Sequence, residues 1–292
     1  MKIACMLITH LPVKAELRRN GALRHKPVLI VTQSSGGAKV LDVSSQVRDV
    51  TQGMPLQEAL SRCKDAVLVK ADENYYHRTF DQIVEALLQR SPLVEKGDLG
   101  RTFVDMHGTE AIYGSDEGMT LALLGAVPHG FGPRVGLAES KFPAYVAAVA
   151  SKADGATMVS ENVKGFLAEF SIDLLPLTWE DRARIHQFGL HKMGQIAFLS
   201  VGSMQAQFGT EGRVAWELAN GIDKSLLVPS KHQESVTESL TFSIPSVSLY
   251  AILPAVEVLL GRIFSHPSLR GKYLRSVFVQ ANVLNRSPWS KR

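Results

Sequence analysis

The sequence predicts an α+β protein made of more than one compact unit. Its 292 residues, of which 45% are apolar, exceed one typical domain and suit about two to four. Residues 1–152 alternate short apolar strands with helices, which is typical of a sheet that carries helices on its surface. Residues 159–222 give only short helical signals, and a strand, an apolar helix and a second strand follow them.

The elements of the first half follow from apolar runs and their periodicity. Strands are predicted for the short apolar runs between turn-forming residues, at 3–9, 27–32, 39–43, 66–70, 101–106 and 134–137. Helices are predicted at 53–63, 72–90, 116–126 and 140–152. The clearest of these helices has Asp72 as its N-cap and one apolar face, formed by Tyr76, Phe80, Ile83, Leu87 and Leu88.

The end of the chain predicts a half-sized or truncated unit with a basic tail. Residues 231–242 and 274–284 alternate as strands do, and 249–264 forms an apolar helix between them. Seven of the 32 basic residues and none of the 28 acids lie in 262–292, so the rest of the chain carries 25 bases against 28 acids. The net charge of +4 therefore comes from basic residues concentrated at the end of the chain, which indicates a specific contact surface instead of a generally basic protein.

The positions of the cysteines, the histidines and the apolar runs argue against a disulfide-stabilised, a metal-binding and a membrane protein. Cys5 and Cys63 are too few for a disulfide framework and lie among apolar neighbours, so we expect packed, reduced thiols. His186 and His191 are five positions apart, so they are expected neither to share a helix face nor to bind a metal. No window approaches the roughly 20 apolar residues that span a bilayer, and residues 3–8 are too short for a signal sequence. We therefore expect a cytoplasmic protein without membrane contact.

Four segments carry a family resemblance. The most specific is VGLAESKFPAYVAAVASKADG at 135–155, and the others lie at 26–31, 53–59 and 208–215. Taken together and in this order, they resemble the Y-family (UmuC/DinB-type) translesion DNA polymerases. The resemblance implies a right-hand architecture with a ferredoxin-like palm, small fingers, a helical thumb and a partial little finger. The corresponding residues are 1–10 and 72–159 for the palm, 11–71 for the fingers, 160–226 for a helix-hairpin-helix thumb, and 227–292 for an apparently incomplete little finger.

The catalytic carboxylates that the resemblance implies are missing. Active members of the family hold two Mg²⁺ ions with three palm carboxylates, and the corresponding positions here are Leu7, Gly100 and Arg101. If Asp98 and Asp105 lay on one strand, seven residues would separate them by roughly 23 Å on opposite faces, so they could not share a metal pair. The sequence therefore predicts no catalytic residues, no metal site and no cofactor. Mg²⁺ is expected only if a non-standard metal site exists.

The nucleotide contacts implied by the resemblance are also mostly lost. The finger Tyr and Arg that grip the triphosphate map to Val43 and Gln46, and the steric-gate aromatic falls at Leu11 or Pro12. Lys152 is the one residue that matches the family at a triphosphate-contact position. An ordinary solvated lysine near a helix C-terminus explains Lys152 equally well.

The DNA contacts that the resemblance implies are better kept. The hairpin at 208–214 is expected to bring backbone N–H groups to a DNA phosphate, although it is equally well an ordinary glycine turn. The basic tail is expected to lie along the DNA backbone, with a solvated surface as the alternative. The candidate DNA-binding residues are Gly209, Gly212, Arg213, Thr237, Ser239 and Arg275.

The sequence thus predicts a catalytically degenerate accessory protein of DNA damage tolerance and translesion synthesis, similar to the ImuB-type proteins of SOS mutagenesis. Its expected partners are primer-template DNA and, as further candidates, a sliding clamp, an error-prone polymerase and a RecA-like protein, in the cytoplasm and associated with the nucleoid. No clamp-binding peptide is evident. Two alternatives stay open: an active error-prone DNA-directed DNA polymerase with a non-standard metal site, and a protein scaffold without DNA affinity.

Overall fold

The computed structural model describes residues 2–34, 36–229, 236–242, 245–269, 271, 277–281 and 289–291. The chain divides into two compact units, Met1–Ser230 and Lys231–Arg292. Among the helices of the described residues, none is long and apolar enough to cross a membrane.

The first unit alternates strands and helices up to residue 158 and is helical after it. Its strands are β1 (Ile3–Leu7), β2 (Val28–Ser34), β3 (Gly37–Val43), β4 (Val67–Lys70), β5 (Val94–Lys96), β6 (Arg101–Asp105), β7 (Arg134–Ala138) and β8 (Gly155–Met158). Its helices are α1 (Leu11–Arg19), α2 (Leu56–Arg62), α3 (Glu73–Leu88), α4 (Glu110–Tyr113), α5 (Asp116–Ala126), α6 (Lys141–Ala150), α7 (Val163–Ala168), α8 (Trp179–Gln187), α9 (Met193–Phe198) and α10 (Val201–Ala219). The second unit adds α11 (Leu249–Phe264), β9 (Val279–Ala281) and β10 (Trp289–Lys291).

A five-stranded sheet, which we call the larger sheet, positions the candidate site. Its order is β5-β6-β1-β7-β8, and its neighbours are antiparallel except for the parallel pair β7–β8. The central strand β1 is apolar on both faces because both faces are covered. Ala4, Met6 and Ile8 join the core formed with α1, α3 and α5, whereas Ile3 and Cys5 face α6. Complete burial raises the pKa of the Cys5 thiol, so this group stays protonated.

Helix α6 lies against the larger sheet at very short range, because small residues form the contact. Ala144, Ala147 and Ala148 are fully buried there. On β7, a Cβ atom added at Gly136 would lie 2.1 Å from the carbonyl oxygen of Ala144. The opposite side of α6 packs against α7–α10, whose apolar residues form a separate core. One helix therefore joins the larger sheet to the helical region.

The smaller sheet has the order β3-β2-β4, with β2 antiparallel to β3 and parallel to β4. It lies inside the region predicted as fingers, and its own core includes Leu29, Val40 and Ala59 of α2.

The segment after α10 returns to the larger sheet and is held there by side chains. Asp223 Oδ2 accepts a hydrogen bond from the backbone N–H of Phe142 at 2.7 Å, at the start of α6. The Glu95 carboxylate accepts from Lys141 Nζ at 2.7 and 2.9 Å and from the backbone N–H of Val228 at 2.7 Å. These contacts tie the end of the helical region to β5 and α6.

The predicted α+β organisation is confirmed, with exceptions in individual elements. The helix at 116–126 has the predicted bounds, and α3 begins after its N-cap Asp72, which accepts from the Tyr75 N–H. Helix α1 and strands β5 and β8 were not predicted. The predicted strand at 231–242 is wrong for its described part, because 236–242 forms neither helix nor strand. Of the strand predicted at 274–284, residues 279–281 form β9, which pairs with β10.

Candidate functional site

The candidate site lies at the end of β1, where two arginines flank an apolar residue. In the antiparallel register of the larger sheet, Leu7 lies opposite Arg101 on β6 and opposite Arg134 on β7. Side chains of directly opposed residues point to the same face of a sheet. Leu7 is partly buried in the cluster that α6 covers, so both guanidinium groups lie on that face.

At the second expected carboxylate position, the backbone leaves no room for any side chain. Gly100 has φ +90°, and its carbonyl oxygen accepts the Ile8 N–H at 2.7 Å. A Cβ atom added at Gly100 would lie 2.4 Å from the carbonyl oxygen of Ile8. Glycine alone satisfies both the left-handed conformation and this close approach.

Arg101 occupies the third expected carboxylate position and is held by its neighbours. Its Nη2 donates to Asp98 Oδ2 at 2.5 Å, and its guanidinium lies 5.0 Å from the centroid of the Tyr145 ring on α6. Asp98 precedes β6 instead of lying on it, and its side chain is 85% exposed. Asp105 lies at the far end of β6, opposite Ile3, and accepts the His107 N–H. The two acids are therefore kept apart by a turn and a whole strand.

These residues do not fit a pair of Mg²⁺ ions. Magnesium takes oxygen ligands, and a guanidinium repels a cation. The three positions that would supply the carboxylates hold an apolar side chain, a glycine and a cation. Within the described residues, no group of three or more His, Cys, Asp or Glu side chains is arranged to hold a metal ion.

Further cations lie beside Arg134, at the junction with the smaller sheet. Lys14 Nζ donates to the carbonyl oxygen of Phe131 at 2.8 Å, just before β7. Burial and the neighbouring Arg134 lower the pKa of Lys14. His10 Nδ1 lies 2.6 Å from Asp42 Oδ1 on β3, and this hydrogen bond raises the pKa of His10.

We expect the His10–Asp42 pair to stabilise the protein more at low pH than at high pH. The folded-state pKa of His10 is raised, so its stabilisation is complete below the ordinary value of about 6.5 and is lost as pH rises through the folded value. His10→Asn removes the imidazole while tolerating the left-handed backbone at φ 53°. The unfolding temperature of this variant should fall further below wild type at about pH 5.5 than at about pH 8.5. An equal loss at both pH values would contradict the expectation.

The other candidates for nucleotide contacts lie in the core, at the end of a strand or at the surface. Leu11 is buried in the core at the start of α1, so it cannot act as a gate. Pro12 follows it in the same helix turn and is partly buried. Val43 ends β3, and Gln46 Nε2 donates to the backbone oxygen of Arg24. Lys152 is exposed between α6 and β8.

The segment predicted as a DNA-binding hairpin has a break between two helices, and only part of it is at the surface. Gly209 has φ 63° and ψ −148°, which breaks α10 into two helices, and it is exposed. Arg213 is exposed and donates to Glu217 Oε1 at 3.1 Å. Gly212 is buried, and a Cβ there would lie 2.4 Å from the Met204 carbonyl oxygen. Gly212 therefore serves helix packing, which differs from the expectation that it meets a phosphate.

The remaining DNA-binding candidates belong to the second unit. Thr237 and Ser239 are exposed and lie outside any strand, so the predicted strand does not present them. Arg275 lies outside the described residues.

His186 and His191 do not share a helix face, since His191 follows α8, yet their side chains meet, which the sequence did not predict. Their Nδ1 atoms are 2.8 Å apart and their rings stack, because the chain turns after α8 and brings His191 back. His186 Nε2 also lies 3.0 Å from Asp173 Oδ1, and this hydrogen bond lowers the pKa of Asp173.

Solved structures show what fold this chain has. The crystal structure of DinB from Sulfolobus solfataricus aligns with a TM-score of 0.65 at 18% identity, covering 100% of this chain and 86% of that one. The insertion ternary complex of Dbh DNA polymerase aligns with a TM-score of 0.66 at 19% identity, covering 78% and 69%. The fold is therefore that of the Y-family polymerases.

Sequence comparison finds similarity to one domain family and to named DNA polymerases. Residues 8–149 match the model described as the impB/mucB/samB family. DNA polymerase IV of Brucella melitensis is 25% identical over 252 residues, which are 84% of this chain and 56% of that protein. DNA polymerase IV 1 of Mesorhizobium japonicum is 28% identical over 242 residues, 80% and 55%. Residues 8–149 are thus similar to the impB/mucB/samB (UmuC/DinB-type) domain, and the chain spans about half the length of these curated relatives.

Proposed function

We propose that this protein binds primer-template DNA without adding nucleotides, as an ImuB-like accessory protein in DNA damage tolerance. The observation that carries the proposal is the end of β1, where Leu7, Gly100 and Arg101 replace the three carboxylates that nucleotidyl transfer requires. Without them, no residue there deprotonates or aligns a primer hydroxyl through a metal.

Three observations favour DNA as the ligand. The hairpin exposes Gly209 and Arg213, which suit contacts to a phosphate backbone. Residues 262–292 are basic and free of acid, which suits the same backbone. The relatives are named DNA polymerase IV, and one structural neighbour is a post-insertion binary complex of Dbh DNA polymerase. A sliding clamp, an error-prone polymerase and a RecA-like protein are the partners that we propose for such an accessory protein, at the nucleoid.

A second candidate function is an active error-prone polymerase with a non-standard metal site. The names of the relatives favour it, because they are polymerases. Asp105 is the acid that lies on β6, the strand that begins at Arg101, and it would have to take part.

Primer extension and DNA binding, measured on the same preparation, test the two candidates. We expect salt-dependent binding of a labelled primer-template and no extension with dNTPs and either Mg²⁺ or Mn²⁺. Arg213→Gln should reduce the log–log salt slope of binding by about one, the value for one phosphate contact. Arg78→Gln is the matched control, because Arg78 is exposed on α3 and contacts only its own helix, at the Asn74 carbonyl oxygen. Extension that Asp105→Asn abolishes would establish the polymerase instead, and salt-independent or absent binding would contradict DNA as the ligand.

A further inference from the structure

Helix α6 holds the two guanidinium groups at the end of β1 in place. The Tyr145 ring lies 5.0 Å from the guanidinium carbon of Arg101, and the carbonyl oxygen of Val149 accepts from Arg134 Nη1 at 3.3 Å. Tyr145 and Val149 are one helical turn apart, so they lie on the same side of α6. One rigid helix therefore fixes both arginines on either side of Leu7.

Positive charge at this place is incompletely neutralised. Within the described residues, neither Arg134 nor Lys14 has a carboxylate within ion-pair distance, and each donates to a backbone oxygen, while the charges of Asp154 and Asp42 act on Lys14 from farther away. Arg101 has Asp98 as its partner, but Asp98 is 85% exposed, and such surface pairs contribute little and exchange readily. The buried Nε atoms of Arg101 and Arg134 both lack a hydrogen-bond partner. Both Nε atoms are inaccessible, so an anion would act on the charge of the two guanidinium groups and bond to their terminal N–H groups instead.

We propose that Arg101, Arg134 and Lys14 form an anion site that binds phosphate groups directly, without a divalent cation. Guanidinium groups match phosphate because their N–H donors meet two oxygens at once. Arg101 and Arg134 lie on the two strands next to β1, so their Cα atoms are roughly 10 Å apart. That spacing suits a ligand with two or more linked phosphates. The place that holds cations in an active polymerase thus becomes a site for anions.

Linked phosphates occur both in small polyphosphates and in the DNA backbone. The proposal goes beyond the proposed function, because DNA contacts through the hairpin and the basic tail need none of these three residues. The site also reverses the expected effect of metal: chelating Mg²⁺ leaves binding intact, or strengthens it by freeing the phosphates.

Titration of the full chain with inorganic pyrophosphate in the presence of EDTA, followed by calorimetry, tests the proposal. We expect saturable binding that weakens about tenfold or more in Arg134→Gln, which loses charge-assisted hydrogen bonds. Arg134→Lys keeps the charge but loses the paired N–H donors of the guanidinium group. Its affinity for pyrophosphate should lie between those of Arg134→Gln and wild type. Arg78→Gln should bind like wild type. The unfolding temperature of each variant without ligand shows whether it is folded.

Competition with a primer-template then identifies the source of the phosphates. If DNA displaces pyrophosphate, the site holds the DNA backbone, and if both bind together, it holds a small polyphosphate. The proposal would be overturned if pyrophosphate did not bind or if its binding required Mg²⁺. It would also be overturned if the folded Arg134→Gln and Arg101→Gln variants bound pyrophosphate as tightly as wild type does. DNA binding that persists in those cases would leave the proposed function standing.

Discussion

Gly136→Ala is expected to lower the free energy of unfolding of the first unit by about 3 kcal/mol or more. The added Cβ would lie 2.1 Å from Ala144 O, 2.2 Å from Ala148 N and 2.7 Å from Ala147 C. All three are backbone atoms of α6, which cannot turn aside as a flexible side chain can. Relief requires α6 to move away from β7, and this opens the contacts of both cores that α6 joins.

Urea denaturation followed by circular dichroism measures this effect. Gly125→Ala is the matched control, because Gly125 is exposed within α5 and an added Cβ there meets nothing within 4 Å. That variant should gain about 1 kcal/mol from improved helix propensity. Equal denaturation midpoints for wild type and Gly136→Ala would show that the helix does not approach β7 so closely.

Gly100→Asp, which restores a carboxylate at a lost position, is expected to destabilise the protein by about 3 kcal/mol or more instead of rebuilding a metal site. Two costs add at this residue. A non-glycine side chain at φ +90° is strained, and its Cβ would lie 2.4 Å from the Ile8 carbonyl oxygen. That carbonyl belongs to the chain between β1 and α1, so the clash disturbs the strand end itself.

Gly130→Asp separates the two costs. Gly130 has a similar φ of +93°, but its surroundings are open to 4 Å. Its aspartate should cost about 1 kcal/mol, the backbone term alone. The two denaturation midpoints therefore measure the steric part by difference. A Gly100→Asp variant as stable as Gly130→Asp would mean that the site can accept the carboxylate after a small adjustment.

Elements whose capping residue and apolar spacing are visible in the sequence were predicted correctly. Asp72 and the apolar spacing of Tyr76, Phe80 and Ile83 specify α3 without any contact from elsewhere. Helix α1 gave no such signal, because its N-cap His10 is not a usual capping residue and makes no side-chain cap bond. The core that it completes with α3 and α5 stabilises it instead. Apolar and polar residues alternate at 236–242, which is compatible with a strand. A strand also needs a partner to pair with, and alternation does not show whether one exists.

The same division applies to the candidate site. Leu7, Gly100 and Arg101 were found from the sequence because they fall at aligned motif positions. Arg134 and Lys14 were not, since their relevance depends on the register of β1 against β7 and on the loop before β7, neither of which is a local property. The stacked pair His186 and His191 escaped for the same reason, because helical periodicity does not describe the turn after α8.

The Asp223 contact has a consequence for how this chain folds. Helix α6 has Ser140 at its N-cap position, but the Ser140 side chain makes no cap hydrogen bond, and the Phe142 N–H is satisfied by Asp223 from the far end of the helical region. A helix at the end of the family-matched residues 8–149 is thus completed by a residue more than 70 positions beyond them. Residue 223 is synthesised after every strand of the larger sheet, so this contact at the start of α6 forms only after the sheet residues exist. The residues that match the family model therefore do not include all the residues that complete the helices among them.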